Sequence, residues 1–163
     1  QILVSPVNGP ALMLGKLIPY VGVGAFQVFS VTLASYLLFG VPIRGSWLLL
    51  AGATFLYVTG SMALGLMFSA VLKSQQLAMM IAFVATMLPS LLLSGFVFPL
   101  TNMPKALQIV SYAVPARYYI TITRGLFLKG VGIDVLWPEL LAMVIYAMVL
   151  LIVATSRFRR SLS

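Results

Sequence analysis

The sequence has 163 residues, of which 62% are hydrophobic and 7% are charged, whereas a soluble domain has about 25% charged residues. It contains no Cys, no His and only two acidic residues, Asp134 and Glu139, which excludes thiolate or imidazole metal sites, disulfides and histidine-dependent catalysis. Ten Lys and Arg give a formal net charge of +8, and their distribution is typical of membrane flanks and not of a nucleic-acid patch.

Four long runs of the sequence carry no charged side chain. They contain 27, 28, 31 and 17 residues, and they lie between Lys16 and Arg44, Arg44 and Lys73, Lys73 and Lys105, and Glu139 and Arg157. A helix needs about 20 apolar residues to cross about 30 Å of hydrocarbon, and it satisfies its backbone hydrogen bonds within one segment. We therefore predict an all-α, polytopic membrane helix bundle. Its four transmembrane helices are expected at residues 17–39, 47–72, 77–97 and 140–156, within a single transmembrane domain.

Residues 98–137 differ from these spans because they contain five charged residues and three prolines among apolar side chains. The segment is too polar to cross the membrane and too apolar to lie in water. We predict an interfacial hairpin of short amphipathic helices, because aromatic side chains with a polar tip prefer the depth of the lipid headgroups. The aromatic residues in question are Tyr112, Tyr118, Tyr119 and Trp137.

The spans lack the ionisable residues that mark ion-coupled carriers. Residues 9–17 match a phosphate-binding loop poorly, since five residues separate Gly9 from Gly15 and no Ser or Thr follows Lys16. We therefore do not expect this chain to hydrolyse ATP.

Small residues recur at helical spacing in two of the spans. Ser61, Gly65 and Ser69 in the second span predict close helix packing. Thr86, Ser90 and Ser94 share a face of the third span, which serves either helix packing or a translocation path bent at Pro89.

Several motifs together resemble the permease of an ABC type-2 transporter, the membrane subunit of an ATP-driven exporter. They are QILVSPV at residues 1–7, LGKLIP at 14–19, LSGFVFPLTNMPK at 93–105, SYAVPARY at 111–118 and RGLFLKG at 124–130. The resemblance covers essentially the whole chain and corresponds to the C-terminal four of the six helices usual in that family. We therefore expect the sequence to be a fragment of a larger permease.

The resemblance also implies roles for particular segments. Residues 1–16 would form a cytoplasmic coupling segment, and residues 98–137 an extracellular re-entrant hairpin that caps the translocation path, with both chain ends cytoplasmic. The expected contacts to a partner ATPase are Gln1, Ile2, Leu3, Ser5 and Pro6. The candidate residues of the path or hairpin are Thr86, Pro89, Ser90, Ser94, Pro99, Asn102, Pro104, Tyr112, Pro115, Arg117, Tyr118, Arg124 and Gly125.

The function implied is a permease subunit, multi-pass in the bacterial inner membrane, that exports an amphipathic, drug-like or lipid-linked substrate by alternating access. No cofactor is expected in this chain, because ATP and Mg would be bound by the partner subunit. The expected partners are an ATP-binding cassette ATPase, a second permease copy or paralogue and the lipid bilayer, with no nucleic acid. The alternative is a membrane-embedded scaffold, sensor or lipid-modifying protein without ATP coupling, for which Asp134 and Glu139 are thin support.

Overall fold

The computed structural model describes residues 9–42, 44–72 and 74–160. These residues form six α-helices and no β-strand. The helices are α1 (Gly9–Phe39), α2 (Trp47–Val71), α3 (Gln75–Leu93), α4 (Lys105–Ser111), α5 (Pro115–Arg124) and α6 (Ile133–Arg160). A 3₁₀ turn at Leu100–Asn102 precedes α4, and a π-helical turn at Gly125–Lys129 follows α5.

The predicted all-α, polytopic bundle is confirmed. Four helices in the described part of the chain are long and apolar enough to cross a membrane, over Ile18–Phe39, Trp47–Ser69, Gln76–Leu93 and Ile133–Ala154. Helices α4 and α5 have 7 and 10 residues, and at about 1.5 Å per residue they are too short to cross.

Contacts between the long helices fix their relative directions. A Cβ atom added to Gly60 would lie 3.3 Å from Cδ1 of Tyr146, and each residue stands 13 positions after the start of its helix. The starts of α2 and α6 lie at the same end of the bundle, because the N–H of Gly45, just before α2, donates to the carbonyl oxygen of Leu126 (2.9 Å), and a Cβ atom on Gly125 would lie 3.1 Å from Cδ2 of Leu136 in the first turn of α6. Helices α2 and α6 are therefore parallel, and the contact between Gly60 and Tyr146 shows that they are in register. A Cβ atom added to Gly24 would lie 2.7 Å from Cγ2 of Val58. The earlier residues Tyr20 and Val23 of α1 share a cavity with the later residues Ser61 and Leu66 of α2, whereas Thr32 and Ser35 share one with Leu50 and Thr54, so these helices are antiparallel.

The end of α1, the starts of α2 and α6, and helices α4 and α5 consequently lie at one end of the bundle, which we call the hairpin end. The buried core lies near this end, because α5 and the π-helical turn pack against α2 and α6 there. It consists of Leu50, Ala53, Ile122, Leu126, Leu136 and Met143.

Several helix boundaries differ from the predicted spans: α1 begins at Gly9 and not at residue 17, and α6 ends at Arg160 and not at residue 156. Helix α3 ends at Leu93, not at residue 97, because the chain turns through Gly95, whose φ of +81° is not helical. Helix α6 begins at Ile133, not at residue 140, so residues 133–137 belong to α6 and not to the hairpin predicted over 98–137. Asp134 lies in the first turn of α6, where the helix dipole favours a negative charge.

The predicted coupling segment, residues 1–16, is described in part. Its residues 9–16 form the first turns of α1. The five expected ATPase contacts, Gln1, Ile2, Leu3, Ser5 and Pro6, lie outside the described residues.

Candidate functional site: a groove between α1 and α2

A groove runs along the antiparallel pair formed by α1 and α2. It consists of two cavities of ≈ 530 and ≈ 590 Å³, which share the residues Gly24, Gln27, Tyr57 and Val58. Helix α5 and the π-helical turn, through residues such as Phe127, form the wall of the first cavity at the hairpin end. We call the two connected cavities the α1–α2 groove.

More hydroxyl side chains line the half of the α1–α2 groove nearest the hairpin end than the other half. Apolar side chains such as Val28, Val31 and Leu50 stand between them. None of the described residues that line the groove is charged. The polar lining residues of this half are Gln27, Thr32, Ser35, Thr54, Tyr57, Tyr119 and Thr123.

Tyr119 lines this half of the groove and contacts two residues of α2. Oγ1 of Thr54 donates to the carbonyl oxygen of Leu50 (2.7 Å) and lies 3.1 Å from the Tyr119 hydroxyl oxygen. Because the Thr54 hydroxyl has one hydrogen, which it donates to Leu50, the Tyr119 hydroxyl is the donor in the second bond. The Tyr119 oxygen therefore keeps its acceptor capacity. Its ring stacks on Tyr57, with ring centroids 4.7 Å apart and planes at 17°.

The small residues predicted to pack α2 against a neighbour have a different role here. Ser61 and Gly65 line the second cavity of the groove. A Cβ atom added to Gly65 would meet no atom of the described chain within 4 Å. The prediction that Gly65 makes a close helix contact within this chain is therefore wrong. Gly60, just over one turn earlier, makes that contact on another face of the helix.

Arg117 holds the α4–α5 hairpin together. Its guanidinium donates to the carbonyl oxygen of Gln108 (3.2 Å) and to Oγ of the fully buried Ser111. The guanidinium carbon also lies 3.8 Å from the centroid of the Tyr112 ring, a cation–π arrangement. One side chain on α5 thus contacts both the last turn of α4 and the residue that follows it.

Tyr118 adds a second link across the same turn. Its hydroxyl donates to the carbonyl oxygen of Tyr112 (2.8 Å). Burial raises the pKa of Tyr118, and the Arg117 charge opposes this only in part. The hydroxyl therefore remains protonated, and remains a donor, at neutral pH.

Pro115 begins α5 at the position where a missing N–H costs nothing.

Four of the residues predicted to belong to the path or hairpin line a common cavity. Pro89, Pro99, Asn102 and Pro104 line an apolar cavity of ≈ 520 Å³ between α3 and the 3₁₀ turn. The Thr86 hydroxyl is bonded within its own helix, to the carbonyl oxygen of Ala82 (2.6 Å).

The remaining candidate residues near the end of α3 and in the hairpin make structural contacts at the hairpin end, namely Ser94, Arg124 and Gly125. Ser90 is half-buried on α3. Ser94 is buried, and its Oγ accepts from the N–H of Phe96 (3.3 Å). Arg124 donates to the carbonyl oxygen of the same Phe96 (3.3 Å). Gly125 is buried, and a Cβ atom there would lie 3.0 Å from Val131 and 3.1 Å from Leu136. The structure does not bring these residues to the α1–α2 groove.

The sequence interpretation missed the residues that define the groove, above all Thr32, Thr54 and Tyr119. Thr32 and Thr54 are buried polar residues in apolar helices. A hydroxyl inside an apolar span was the available signal, since such groups need hydrogen-bond partners. Tyr119, by contrast, was predicted at headgroup depth, and only the packing of α5 against α2 brings it into the groove.

Comparison with known proteins identifies the family. The family model described as ABC-2 type transporter matches residues 1–128. The chain belongs to the ABC-2 type transporter family. With its four long apolar helices, it is a multi-pass membrane protein of this family.

Individual relatives agree with this assignment. The chain is 36% identical over 129 residues to the probable multidrug ABC transporter permease YbhS of Escherichia coli (strain K12), covering 79% of this chain and 34% of that protein. It is 32% identical over 160 residues to the probable multidrug ABC transporter permease YbhR of the same strain, covering 98% and 43%. It is 25% identical over 165 residues to the inner membrane transport permease YhhJ of that strain, covering 99% and 43%.

The chain therefore spans less than half the length of these curated relatives. No solved structure is significantly similar to it.

Proposed function

We propose that the chain forms part of the permease subunit of an ATP-binding cassette exporter, and that the α1–α2 groove binds the substrate. The observation that carries this proposal is an uncharged groove with apolar walls and hydroxyl groups along its length, most numerous in the half nearest the hairpin end. An amphipathic, drug-like or lipid-linked molecule matches such a site, because its apolar part would contact residues such as Val58 and Leu66. Its polar group would accept or donate a hydrogen bond near Tyr119.

The relatives support the same class of function. Two of them are named as probable multidrug permeases and one as an inner membrane transport permease. The proposal accordingly places this chain in the inner membrane of a bacterium. The Tyr57 and Tyr119 rings favour substrates with a planar aromatic part, since stacking on an aromatic face is tolerant of the details of the ligand.

The energy for transport would come from a partner. We assign ATP and Mg to a separate ATP-binding cassette subunit, and we expect that subunit to contact Gln1, Ile2, Leu3, Ser5 and Pro6. A second copy of the permease, or a paralogue, would complete the assembly. Alternating access then means that ATP binding and hydrolysis in the partner change which side of the membrane the groove faces.

The test uses the full-length permease co-expressed with its ATPase. An amphipathic fluorescent dye is loaded into cells that lack other drug exporters, and its efflux is followed after glucose is added. We expect Tyr119→Phe and Thr54→Val each to raise the dye concentration for half-maximal transport, by roughly fivefold for about 1 kcal/mol per lost hydrogen bond. Tyr36→Phe is the matched control, because Tyr36 is an exposed tyrosine of α1 that does not line the groove.

Two results would overturn the proposal. Energy-dependent efflux that is equally affected by Tyr119→Phe and Tyr36→Phe would exclude the α1–α2 groove as the binding site. If no ATPase co-purifies with the permease and no dye stimulates ATP hydrolysis, the exporter function itself would be wrong. A scaffold, sensor or lipid-modifying protein would then remain.

A further inference from the structure

A contact between two loops brings basic residues from distant parts of the chain together at the hairpin end. The N–H of Gly45, in the connector between α1 and α2, donates to the carbonyl oxygen of Leu126 (2.9 Å) in the π-helical turn. Next to this bond, Gly130 packs against Arg44. A Cβ atom on Gly130 would lie 2.9 Å from Cβ of Arg44 and 3.2 Å from its carbonyl oxygen. Arg44 and Lys129 therefore flank the same backbone contact.

The geometry of this contact leaves little freedom. Gly130 has a φ of +63°, in the left-handed region that favours glycine. A Cβ atom on Gly45 would lie 2.7 Å from Cδ2 of Leu126 and 3.1 Å from its Cα. Both glycines are needed for the close approach of the two loops, so the backbone segments that carry Arg44 and Lys129 are held next to each other.

Neither cation is neutralised within the described chain. Arg44 and Lys129 are both exposed, and neither forms an ion pair with another described residue. The acids of the sequence are Asp134 and Glu139, and the Asp134 carboxylate folds back toward Gly132, with Oδ1 2.5 Å from the position of a Gly132 Cβ atom. The other two arginines of the hairpin end have protein partners: Arg117 bonds α4, and Arg124 bonds the Phe96 carbonyl oxygen.

The two tryptophans of the chain indicate how deep Arg44 and Lys129 lie in the membrane. Trp47 is the first residue of α2 and Trp137 lies in the second turn of α6, and they are 53% and 57% exposed. Because α2 and α6 are parallel and in register, both indole rings lie near the same level, at the start of a candidate membrane span. Exposed tryptophan at the end of a span is typical of the lipid headgroup region.

We propose that Arg44 and Lys129 form a binding site for the headgroup of an anionic phospholipid, with its acyl chains beside Trp47 and Trp137. Phosphatidylglycerol is the model ligand, because its phosphate has no compensating ammonium group. An arginine guanidinium and a lysine ammonium both donate charge-assisted hydrogen bonds to phosphate oxygens. The site would bind a lipid at the contact that joins the α1–α2 connector to the start of α6.

The test measures tryptophan quenching by brominated lipids in the full-length permease, with any tryptophan outside this chain replaced. The protein is reconstituted in phosphatidylcholine vesicles that contain increasing fractions of brominated phosphatidylglycerol or brominated phosphatidylcholine. We expect phosphatidylglycerol to quench at lower mole fraction. Arg44→Gln and Lys129→Gln should each weaken this preference about fivefold, the effect of one basic residue near an anionic headgroup.

Three controls decide the interpretation. Lys105→Gln removes the same charge from an exposed site on α4 and should leave the preference unchanged. Arg44→Lys keeps the charge and should retain most of the preference, even if Arg44→Gln fails to fold. Equal quenching by the two lipids, or an equal loss in Lys105→Gln, would overturn the proposal. So would displacement of the lipid by millimolar inorganic phosphate, because the site would then recognise free phosphate and not a lipid.

Discussion

Two glycines of α2 show how the surroundings of a residue determine what it does. Gly60 is buried at the contact with α6, where an added Cβ atom would lie 3.3 Å from the Tyr146 ring and 3.8 Å from Cβ of Ala147. Gly65 is exposed, and it lines the α1–α2 groove. In lipid, helices associate through close packing of small residues, so Gly60 stabilises the bundle whereas Gly65 leaves space beside it.

We predict that Gly60→Leu lowers the stability of the protein by about 1–3 kcal/mol, the usual cost of forcing a larger side chain into a packed contact. The thermal unfolding midpoint of the purified permease in detergent measures this. Gly65→Leu is the matched control on the same helix, and its midpoint should equal that of the parent. Because the larger side chain of the control would fill part of the groove, its dye efflux should nevertheless fall. Equal midpoints for the two variants would contradict the assignment of Gly60 to the α2–α6 contact.

At the scale of single elements, the α4–α5 hairpin depends on one arginine. Arg117 combines two hydrogen bonds to α4 with the face of the Tyr112 ring. A lysine would keep the charge, but it lacks the planar group that both stacks on a ring and donates in several directions. The hairpin helices have 7 and 10 residues, too few for stability from helix propensity alone.

We predict that Arg117→Lys loosens the hairpin without unfolding the bundle. The loss should be about 1–2 kcal/mol, from one cation–π contact and one hydrogen bond. Hydrogen–deuterium exchange of residues 105–117 should therefore become roughly 5–30 times faster, while exchange in α2 and α6 stays as in the parent. Lys105→Met is the control, since Lys105 is an exposed cation at the start of α4. Unchanged exchange in Arg117→Lys would show that the hairpin does not depend on the guanidinium.

At the scale of the whole molecule, the directions of the helices place both ends of the described chain opposite the hairpin end. Helix α1 runs toward the hairpin end, and α6 runs away from it. The basic residues do not decide which end faces the cytoplasm, because the four predicted spans assign five to each side of the membrane. Lys16, Lys73, Arg157, Arg159 and Arg160 fall on one side, and Arg44, Lys105, Arg117, Arg124 and Lys129 on the other. The family resemblance favours an extracellular hairpin.

We predict that the hairpin end faces the outside of the cell. The sequence has no Cys, so single cysteines can be introduced at Asn102, Lys129 and Ser161 of a full-length permease free of other cysteines. An impermeant thiol reagent added to intact cells should label the cysteines at Asn102 and Lys129. The cysteine at Ser161 should react only after lysis. Labelling at Ser161 in intact cells, or at one hairpin position alone, would contradict this topology.

The proposed assembly with a partner ATPase gives a further prediction. Leu3→Asp would put a charge into the proposed apolar contact with the ATPase, so we expect less ATPase to co-purify with the variant than with the parent. Membrane insertion should be unchanged, as measured by the amount of permease in the membrane fraction. The same recovery of ATPase with parent and variant would remove residues 1–6 from the interface.

The sequence by itself determined that the chain is a helical membrane protein and where its helices lie, to within about eight residues at their ends. Runs free of charge predict spans because bilayer thickness and backbone hydrogen bonding leave few alternatives. Prolines and charged residues identified the hairpin segment, because a helix that spans the bilayer must be apolar and must satisfy its own backbone hydrogen bonds. The end of α3 was predicted four residues too late, because the positive φ of Gly95 turns the chain away from the helix. The start of α6 was predicted seven residues too late, because the first turn of a helix tolerates a negative charge such as that of Asp134. Both are local conformational effects.

The tertiary structure decided which faces of these helices pack and which form a groove. Side chains facing lipid are as apolar as side chains facing other helices, so hydrophobic periodicity carries little information about helix faces in a membrane. Thr54 and Tyr119 are 65 residues apart in sequence, and nothing in the local pattern of either predicts their hydrogen bond. The α1–α2 groove and the Arg44–Lys129 pair exist because α2 packs in register with α6 and because the connector at Gly45 meets the π-helical turn. Both contacts join segments that are distant in the chain.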